Sequence, residues 1–455
     1  MAEKNLLISD DERPAAPQND DSTPQDSETA SRRTRRELLA GGLAALVFGK
    51  SAYAGPDTKG KVRKRSTTGE PVTGTSSLTP SAARPGIQPG PAACPVLIGD
   101  KSAIHKLIDK ATFGWTSSVE NDVTTMGYNA WLNQQLDPYL WQPYIDFENN
   151  LATQTDPTHG FGPYPTLAES AGGANLCAGN DAAAMFAVRY DLVRARVIRA
   201  VYSPAQLLER MVEFWTVHFN VPISDLVTEK VVDDRDVIRR YALGTFRSLL
   251  LASAQSPAML YYLNNEGSNK EHPNENYGRE LLELHTLGVD GGYSEQDVKE
   301  VARALTGWTV RDETGFVFDA EMHDFGEKTI LGTGFPAGRG IEEGLQLLDM
   351  LATHPATARH IAFKLCRRFV SDQPPSALVD STAQVFQASG GDLRQIMRHI
   401  LTSADFMQAS QQKFRRPMDA LVAILRVLRP GLEVYDFDIP VWWFLEPMGQ
   451  VPYYW

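Results

Sequence analysis

Residues 274–308 read NENYGRELLELHTLGVDGGYSEQDVKEVARALTGW. The first part of this stretch predicts a helix over Asn274–Leu287, because Tyr277, Leu281 and Leu284 recur at helical spacing and form an apolar stripe. The same helix carries Asn, Glu, Arg and His side chains, which are polar groups that protein cores rarely accommodate without a partner. We therefore expect it to combine a packing role with a functional site.

The rest of the stretch predicts a turn and a second helix. Asp290–Gly292 supplies glycines that tolerate the left-handed backbone, and Ser294 begins a helix-capping signature. Helical spacing resumes at Ala183 and continues almost to the end of the chain. Only residues 308–332 show the alternation and β-branching of a small hairpin. The sequence predicts a mainly α protein, a single large multi-helix domain with a small β-hairpin excursion.

The composition is that of a soluble globular protein. The chain has 455 residues, of which 42% are hydrophobic and 22% charged, and its net charge is −12. This acidic balance argues against a nucleic-acid partner, which requires a basic footprint. The three cysteines are too few for a disulfide framework.

The N-terminus predicts export. Residues 1–54 hold a polar extension, the pair Arg35-Arg36 before two leucines, a short apolar run and the small-residue cleavage pattern Ala52-Tyr53-Ala54. This arrangement is typical of a twin-arginine signal, and the apolar run is too short for a permanent membrane span. We expect a periplasmic or extracellular location.

The mature chain divides into a linker and a folded domain. Residues 55–94 are rich in Pro, Gly, Ser and Thr and are expected to be disordered, and residues 95–455 form the helical domain. Residues 153–182 contain few large aliphatic side chains and are predicted to be a loop insertion.

Three further helix predictions bear on the site. Continuous helices are expected over 118–136 and 229–254. Another is expected to begin with Ser203 as its capping residue, followed by Pro204 at the first helical position, and to end near His218.

The candidate site combines two of these helices. A histidine at a helix end acts as an acid, a base or a metal ligand, and carboxylates on a neighbouring helix add further ligands. The candidate catalytic residues are His218, Asn220, Asn276, Arg279, Glu280 and His285. The candidate metal ligands are His218, Glu280 and Glu283, although no recognised metal-binding spacing is present. The alternatives are a partly buried His218 that only hydrogen-bonds a carbonyl, a buried polar network that fixes helix packing, and an ion pair between Arg279 and Glu283.

Other polar groups allow two interpretations each. His323-Asp324 in the hairpin region is either a site component or a solvated turn. Arg359, Arg367 and Arg368, with the pair Arg415-Arg416, either clamp an anionic substrate or pair with acidic side chains.

The ordered motifs of the chain resemble those of a bacterial family called domain of unknown function 1800, from about His105 to the last residue. The matching segments are Ala111–Gly114, Glu213–Trp215, His218–Asn220, Asn274–Leu281, Ala304–Trp308, His323-Asp324, His354–Ala358, Phe369–Asp372 and Arg415–Pro417. The resemblance implies an exported protein, often encoded beside a partner from a second, sulfatase-like family. Relatives usually continue beyond the point where this chain stops, at Trp455, which suggests truncation at the C-terminus.

Three functions remain open from the sequence. The first is a metal- or cofactor-assisted enzyme of the envelope in which Glu280 or His218 is a base or ligand and Arg279 binds an anion. The second is a non-catalytic envelope scaffold or a partner of the sulfatase-like protein. The third is a haem or redox protein, because the twin-arginine route carries proteins that are already folded and often loaded with a cofactor.

Overall fold

The computed structural model describes residues 101–153, 163–167, 182–224, 226–311, 315–409, 413–428 and 439–454. The predicted export signal, the linker and most of the predicted insertion lie outside these residues. The described part consists of helices and two short antiparallel hairpins, which confirms the prediction of a mainly α protein. None of the helices described there combines the length and the apolar character needed to cross a membrane.

The elements follow one another in a simple order. The helices before the hairpins are α1 Lys101–Ala111, α2 Ser117–Met126, α3 Tyr128–Leu136, α4 Gln142–Thr153, α5 Ala182–Tyr202, α6 Gln206–His218, α7 Val227–Val232, α8 Phe246–Ala254, α9 Pro257–Tyr262, α10 Glu275–Glu280 and α11 Glu295–Ala304. Those after the hairpins are α12 Ile341–Thr353, α13 Pro355–Phe369, α14 Ser376–Ala388, α15 Leu393–Thr402, α16 Ala404–Gln408 and α17 Pro417–Leu428. Short 3₁₀ turns cover Pro138–Leu140, Pro165–Leu167 and Asn265–Gly267, and π-helical turns cover Asp233–Arg239, Leu281–Thr286 and Ile439–Leu445.

Two predicted continuous helices are broken in the structure. The helix expected over 118–136 is interrupted at Gly127, whose φ of 85° lies in the left-handed region that side chains other than glycine avoid. The helix expected over 229–254 starts as α7, passes through a π-helical turn and ends before Thr245. That threonine accepts a hydrogen bond from the backbone of Ser248 and caps α8.

The start of α6 also differs from the prediction. The helix begins at Gln206, and its capping position is Ala205, which makes no side-chain cap. Ser203 was predicted to cap the helix, but its hydroxyl accepts a hydrogen bond from the backbone N–H of Ala205, which lies before the first residue of the helix. The Gln206 amide instead donates to the carbonyl oxygens of Ser203 and Ala200, which ties α6 to the end of α5.

The helix predicted over Asn274–Leu287 changes its pitch midway. It is α-helical in α10 and then π-helical over Leu281–Thr286, where the backbone N–H of Leu287 donates to the carbonyl of Leu282 over 2.8 Å. Because a π-helical turn contains more residues than an α-helical turn, side chains after Leu281 no longer fall on the predicted apolar face. Leu284 is 47% exposed, so its predicted place in that stripe is wrong, and His285 is turned into the core.

The single predicted β excursion contains two hairpins. Strands β1 Trp308–Arg311 and β2 Gly315–Phe318 pair antiparallel, as do β3 Lys328–Ile330 and β4 Thr333–Phe335. The first strand of each hairpin is anchored by a fully buried residue, Trp308 in β1 and Lys328 in β3. Each hairpin is therefore fixed through contacts outside its own two strands, as expected for sheets of this size.

Helix α6 lies between two apolar clusters. Every residue of α6 except Val217 is buried. Its apolar side chains belong to the larger cluster, which also contains α8, α12, α13 and α15. The smaller cluster is formed mainly by α5, α17 and the residues near the C-terminus. The charged side chains of α6 contact elements of both clusters, since Glu209 meets Arg196 of α5 and Glu213 meets Arg368 of α13.

A buried ionic layer therefore joins the two clusters. Glu209 is fully buried and accepts two hydrogen bonds from the Arg239 guanidinium, at 2.7 and 3.0 Å. Arg196 of α5 lies 3.6 Å from the same carboxylate. Burial would lower the pKa of Arg239, but the charges of Glu209 and Glu148 outweigh it and hold that pKa well above its ordinary value.

We predict that Glu209→Ala destabilises the fold by about 3–5 kcal/mol, because two arginines would be left buried without their carboxylate. Urea unfolding measures the change in the free energy of unfolding. Glu295→Ala is the control, since Glu295 pairs with Arg279 in an exposed ion pair and should cost far less. Equal losses for the two variants would contradict a structural role of the buried ionic layer.

Candidate functional site

The C-terminal end of α6 carries a cluster of imidazoles and one amine, which we call the histidine–lysine cluster. Its members are His218, His285, His360 and Lys364. They come from three elements, namely α6, the π-helical turn after α10, and α13. His360 and Lys364 are four residues apart on α13 and therefore lie on one face of that helix.

His218 is the centre of this cluster. It is buried against the aromatic rings of Trp215, Phe219 and Phe246. Its Nε2 atom lies 3.1 Å from the carbonyl oxygen of His285, and its Nδ1 atom lies 2.6 Å from Lys364 Nζ. A carbonyl oxygen only accepts, so Nε2 carries the proton and Nδ1 presents a lone pair to the lysine.

The π-helical turn brings the second histidine to this centre. The rings of His218 and His285 are 6.2 Å apart between centroids, and those of His218 and His360 are 6.4 Å apart. A Cβ at Gly288 would lie 2.7 Å from His360 Nδ1, so the close approach of this turn to α13 requires glycine there. π-helical turns of this kind are frequent at functional sites.

The environment keeps the imidazoles neutral. Burial, followed by the charge of Lys364, lowers the pKa of His218 well below its ordinary value. The same two causes lower the pKa of His285 to about 3 and that of His360 to about 4. A neutral His218 is what the contact requires, because a protonated imidazole could not accept a hydrogen bond from an ammonium.

Lys364 differs from three buried cations of the described region. Arg210, Lys230 and Arg239 each meet a carboxylate, whereas the polar contact of Lys364 in this region is an imidazole. Burial lowers the pKa of Lys364 to about 8, and no nearby carboxylate compensates for it. The side chain is only half-buried. A part of the lysine population is therefore a free amine at neutral pH.

His360 leaves one polar atom unused. Its Nε2 atom is buried and makes no hydrogen bond, although the backbone of Leu284 is near enough to oppose part of the decrease in the pKa of His360. Buried polar atoms without a partner are uncommon in native proteins, and a catalytic role is one of the explanations for them.

A second group of polar side chains lies further towards the N-terminus of α6, and we call it the arginine–carboxylate cluster. It comprises Arg210 and Glu213 of α6, Arg368 of α13, and Arg416 and Asp419 at the start of α17. Arg210 lies 2.7 Å from Asp419, and Arg368 lies 2.7 Å from Glu213 and 3.1 Å from Asp419. Three guanidinium groups thus share two carboxylates.

The structure brings together only part of the predicted catalytic set. His218 and His285 are in the same cluster, and Asn220 follows His218 two residues after α6 ends. Asn276 is exposed on α10. Arg279 makes two hydrogen bonds to Glu295, at 2.7 and 2.6 Å, in place of the pair with Glu283 considered from the sequence. Its role in binding an anion stays a prediction.

The predicted metal set is not assembled either. His218 has partners on both ring nitrogens, and Glu283 accepts a hydrogen bond from the Tyr293 hydroxyl at 3.3 Å. Burial and the charge of Glu283 raise the pKa of Glu280. Within the part of the chain that the structure describes, no group of three or more His, Cys, Asp or Glu side chains is placed to hold a metal ion.

The other polar candidates have structural contacts. His323 is buried, and its two ring nitrogens face the carbonyl oxygens of Thr306 and Arg339 at 2.8 and 3.1 Å, which is not the solvated turn considered from the sequence. Asp324 pairs with Arg303 at 2.7 Å. Arg359 pairs with Asp380 on the surface.

Sequence reasoning missed Lys364 and the role of His360. His354, in one of the segments that carry the family resemblance, caps α13 by accepting from the backbone of Ala356. The signal that was present is the spacing of four from His360 through Lys364 to Arg368. It places three basic groups along one face of α13.

The comparison with protein families gives one match. The model of the family described as "Protein of unknown function (DUF1800)" matches residues 106–455, and the chain belongs to this family. Neither the curated proteins nor the solved structures contain a match.

We predict that acid destabilises the protein through His285. Because its folded pKa of about 3 lies below the ordinary 6.5, the unfolded state binds more protons between these values. The stability conferred by the neutral imidazole is complete above about pH 6.5 and declines by about 1.4 kcal/mol per pH unit below it. Urea unfolding at a series of pH values between neutrality and about pH 5 measures this slope.

Two variants separate this effect from general acid unfolding. His285→Asn should flatten the dependence of unfolding free energy on pH in this window. Leu284→Asn is the control, because Leu284 is exposed beside His285 and does not titrate, and it should leave the slope unchanged. A slope that is the same for the wild type and His285→Asn would show that His285 titrates normally in the folded protein.

Proposed function

We propose that this DUF1800 protein is an exported acid–base enzyme of the cell envelope in which Lys364 transfers a proton and His218 positions it. The observation that carries the proposal is the half-buried amine of Lys364, which has an imidazole as its polar partner and a pKa of about 8. Perturbed groups of this kind concentrate at active sites, because catalysis needs a pKa near the working pH.

The chemistry follows from the proton positions. As an ammonium, Lys364 donates to His218 Nδ1 and can protonate a leaving group; as a free amine it can accept a proton or attack a carbonyl carbon. His218 does not take the proton, because its own pKa lies far below that of Lys364. Its role is to hold the amine in one orientation, and the carbonyl oxygen of His285 holds the imidazole in turn.

Access to the amine supports the same assignment. Lys364 is not sealed in the core, and the preceding residue, Phe363, is 42% exposed. Leu284, on the π-helical turn beside His285, is also exposed.

The export and partner assignments rest on the sequence alone. The twin-arginine pattern within residues 1–54 supports a periplasmic or extracellular location. The sulfatase-like partner and the divalent metal or haem considered from the sequence remain predictions. Metal analysis and an absorption spectrum of the exported protein would test the two cofactors.

A non-catalytic scaffold is the second candidate. It is favoured by the completed hydrogen bonds of His218 and by the exposed ion pair of Arg279 with Glu295, both of which are structural contacts. In that case Lys364 would serve packing alone, and its amine would have no distinctive reactivity.

We predict that Lys364 titrates near pH 8, well below the ordinary lysine value of about 10.4. Competitive labelling with acetic anhydride over a range of pH, with the labelled peptides identified by mass spectrometry, measures this pKa directly. Lys299, on the exposed side of α11, is the internal control. In His218→Phe the amine should lose its fixed orientation, and its labelling rate should change while that of Lys299 does not.

The catalytic part of the proposal has its own measurement. Wild-type protein and Lys364→Met are incubated with envelope material from the native host, and new products are followed by mass spectrometry. The wild type should form products that Lys364→Met does not, with Lys364→Arg equally inactive because its guanidinium stays protonated. Normal titration of Lys364 together with identical products from all three proteins would establish the scaffold alternative.

A further inference from the structure

A pocket opens beside the arginine–carboxylate cluster, between α1, α6 and the segment that leads into α17. Its empty space is about 320 Å³ and is open to solvent. Four cationic and two anionic side chains line it, namely Lys110, Arg210, Lys413 and Arg415 with Asp109 and Asp419. The pocket therefore has a surplus of positive charge, although the whole chain carries −12.

The cations of this region outnumber its carboxylates, and most of these carboxylates are shared. Asp419 is shared by Arg210, Arg368 and Arg416, Asp109 is shared by Lys110 and Arg415, and Lys413 pairs with Asp372 at 2.6 Å. An anion that entered the pocket would meet donors whose charge is only partly compensated.

Among these cations, Arg210 shows most clearly that hydrogen-bond partners are lacking. Its side chain is more than nine-tenths buried, it lines the pocket, and its Nε atom is buried without a hydrogen-bond partner. Burial, followed by the charge of Arg368, lowers the pKa of Arg210 to about 10, so it stays protonated at neutral pH. The Nε atoms of Arg368 and Arg416 are also buried without partners. A buried guanidinium with an unused donor is costly unless a ligand completes it.

A second cleft adjoins this pocket and shares Asp109 with it. Its empty space is about 740 Å³, and the other lining residues are His105, Trp115 and Glu120. The Trp115 ring is held at its edge, because Nε1 donates to Glu120 over 2.7 Å, and the residue is 45% exposed. Glu120 also accepts from His105 at 3.0 Å. Such a fixed, partly exposed indole beside polar groups is a platform for a ring that has both apolar and hydroxylated faces.

We propose that these two adjoining spaces form a binding site for an anionic saccharide, with its carboxylate, sulfate or phosphate in the pocket of Arg210, Lys413 and Arg415 and its ring on Trp115. A long polyanion is disfavoured, because the surplus charge is local and the remaining surface is acidic. Lys364 is not among the lining residues, so binding at this site can be tested independently of the proposed catalysis.

Calorimetric titration of the exported chain with glucuronate, glucose and inorganic sulfate tests the proposal. Glucuronate should bind, glucose should bind at least about tenfold more weakly, and added salt should weaken glucuronate binding because part of the site is exposed. Sulfate alone should bind more weakly than a monosulfated glucose, which carries both the anion and the ring. Equal affinity for glucose and glucuronate, or no binding of either anionic sugar, would overturn the proposal.

Variants at the rim of the site identify it without disturbing the core. Lys413→Gln with Arg415→Gln should weaken glucuronate binding at least about tenfold. Trp115→Ala should reduce the affinity for monosulfated glucose to that for inorganic sulfate. Arg247→Gln is the control, because Arg247 forms a similar exposed ion pair with Asp349 on another part of the protein, and it should bind like the wild type. Unchanged affinity in the double variant, with an unchanged unfolding temperature, would place the sugar elsewhere and overturn the assignment.

Discussion

The burial of charged side chains on α6 is the constraint on which the rest of the structure depends. A carboxylate or guanidinium on a buried helix must meet its partners inside the protein, because the cost of an unpaired buried charge exceeds the gain from packing one helix. Glu209 pairs with Arg239 and Arg196, and Glu213 pairs with Arg368 and Arg416. These partners come from four separate segments, so the pairing requires those segments to converge on α6. The apolar clusters on its two sides supply the driving force, and the ionic layer fixes which elements meet there.

The fold class could be predicted from the sequence because it depends on local spacing. Apolar residues at helical intervals and capping signatures such as Ser294 with Asp297 are local properties, and the capping box at the start of α11 is present in the structure. The interruptions within helices were harder to predict from the sequence. The π-helical turn at Leu281–Thr286 keeps helical dihedral angles and helix-forming residues, so nothing in its composition marks it. It is stabilised by what surrounds it, including the close contact of Gly288 with His360.

The site was only partly predictable for a related reason. His218 and His285 were identified because a histidine can serve as an acid, a base or a metal ligand, and the structure places their rings 6.2 Å apart. Arg279 and Asn276 were assigned to the same site, but Arg279 pairs with Glu295, which is 16 residues away in the chain, and Asn276 is exposed. Lys364 was overlooked because a lysine in an amphipathic helix is ordinarily a solvated group. Its significance depends on the identity of its partner, which is 146 residues away in the chain.

The contrast between Arg368 and Lys364 shows how one helix produces two electrostatic outcomes. The two residues are one turn apart on α13, and both extend to α6. Arg368 meets the carboxylates of Glu213 and Asp419, which outweigh its desolvation and raise its pKa. Lys364 meets the neutral imidazole of His218, which accepts its hydrogen bond without supplying a negative charge, so desolvation prevails and its pKa falls to about 8. A glutamate at position 218 would fix the lysine equally well, but it would hold it as a permanent ammonium. The imidazole is therefore the partner that provides positioning while keeping the proton of Lys364 exchangeable near neutral pH.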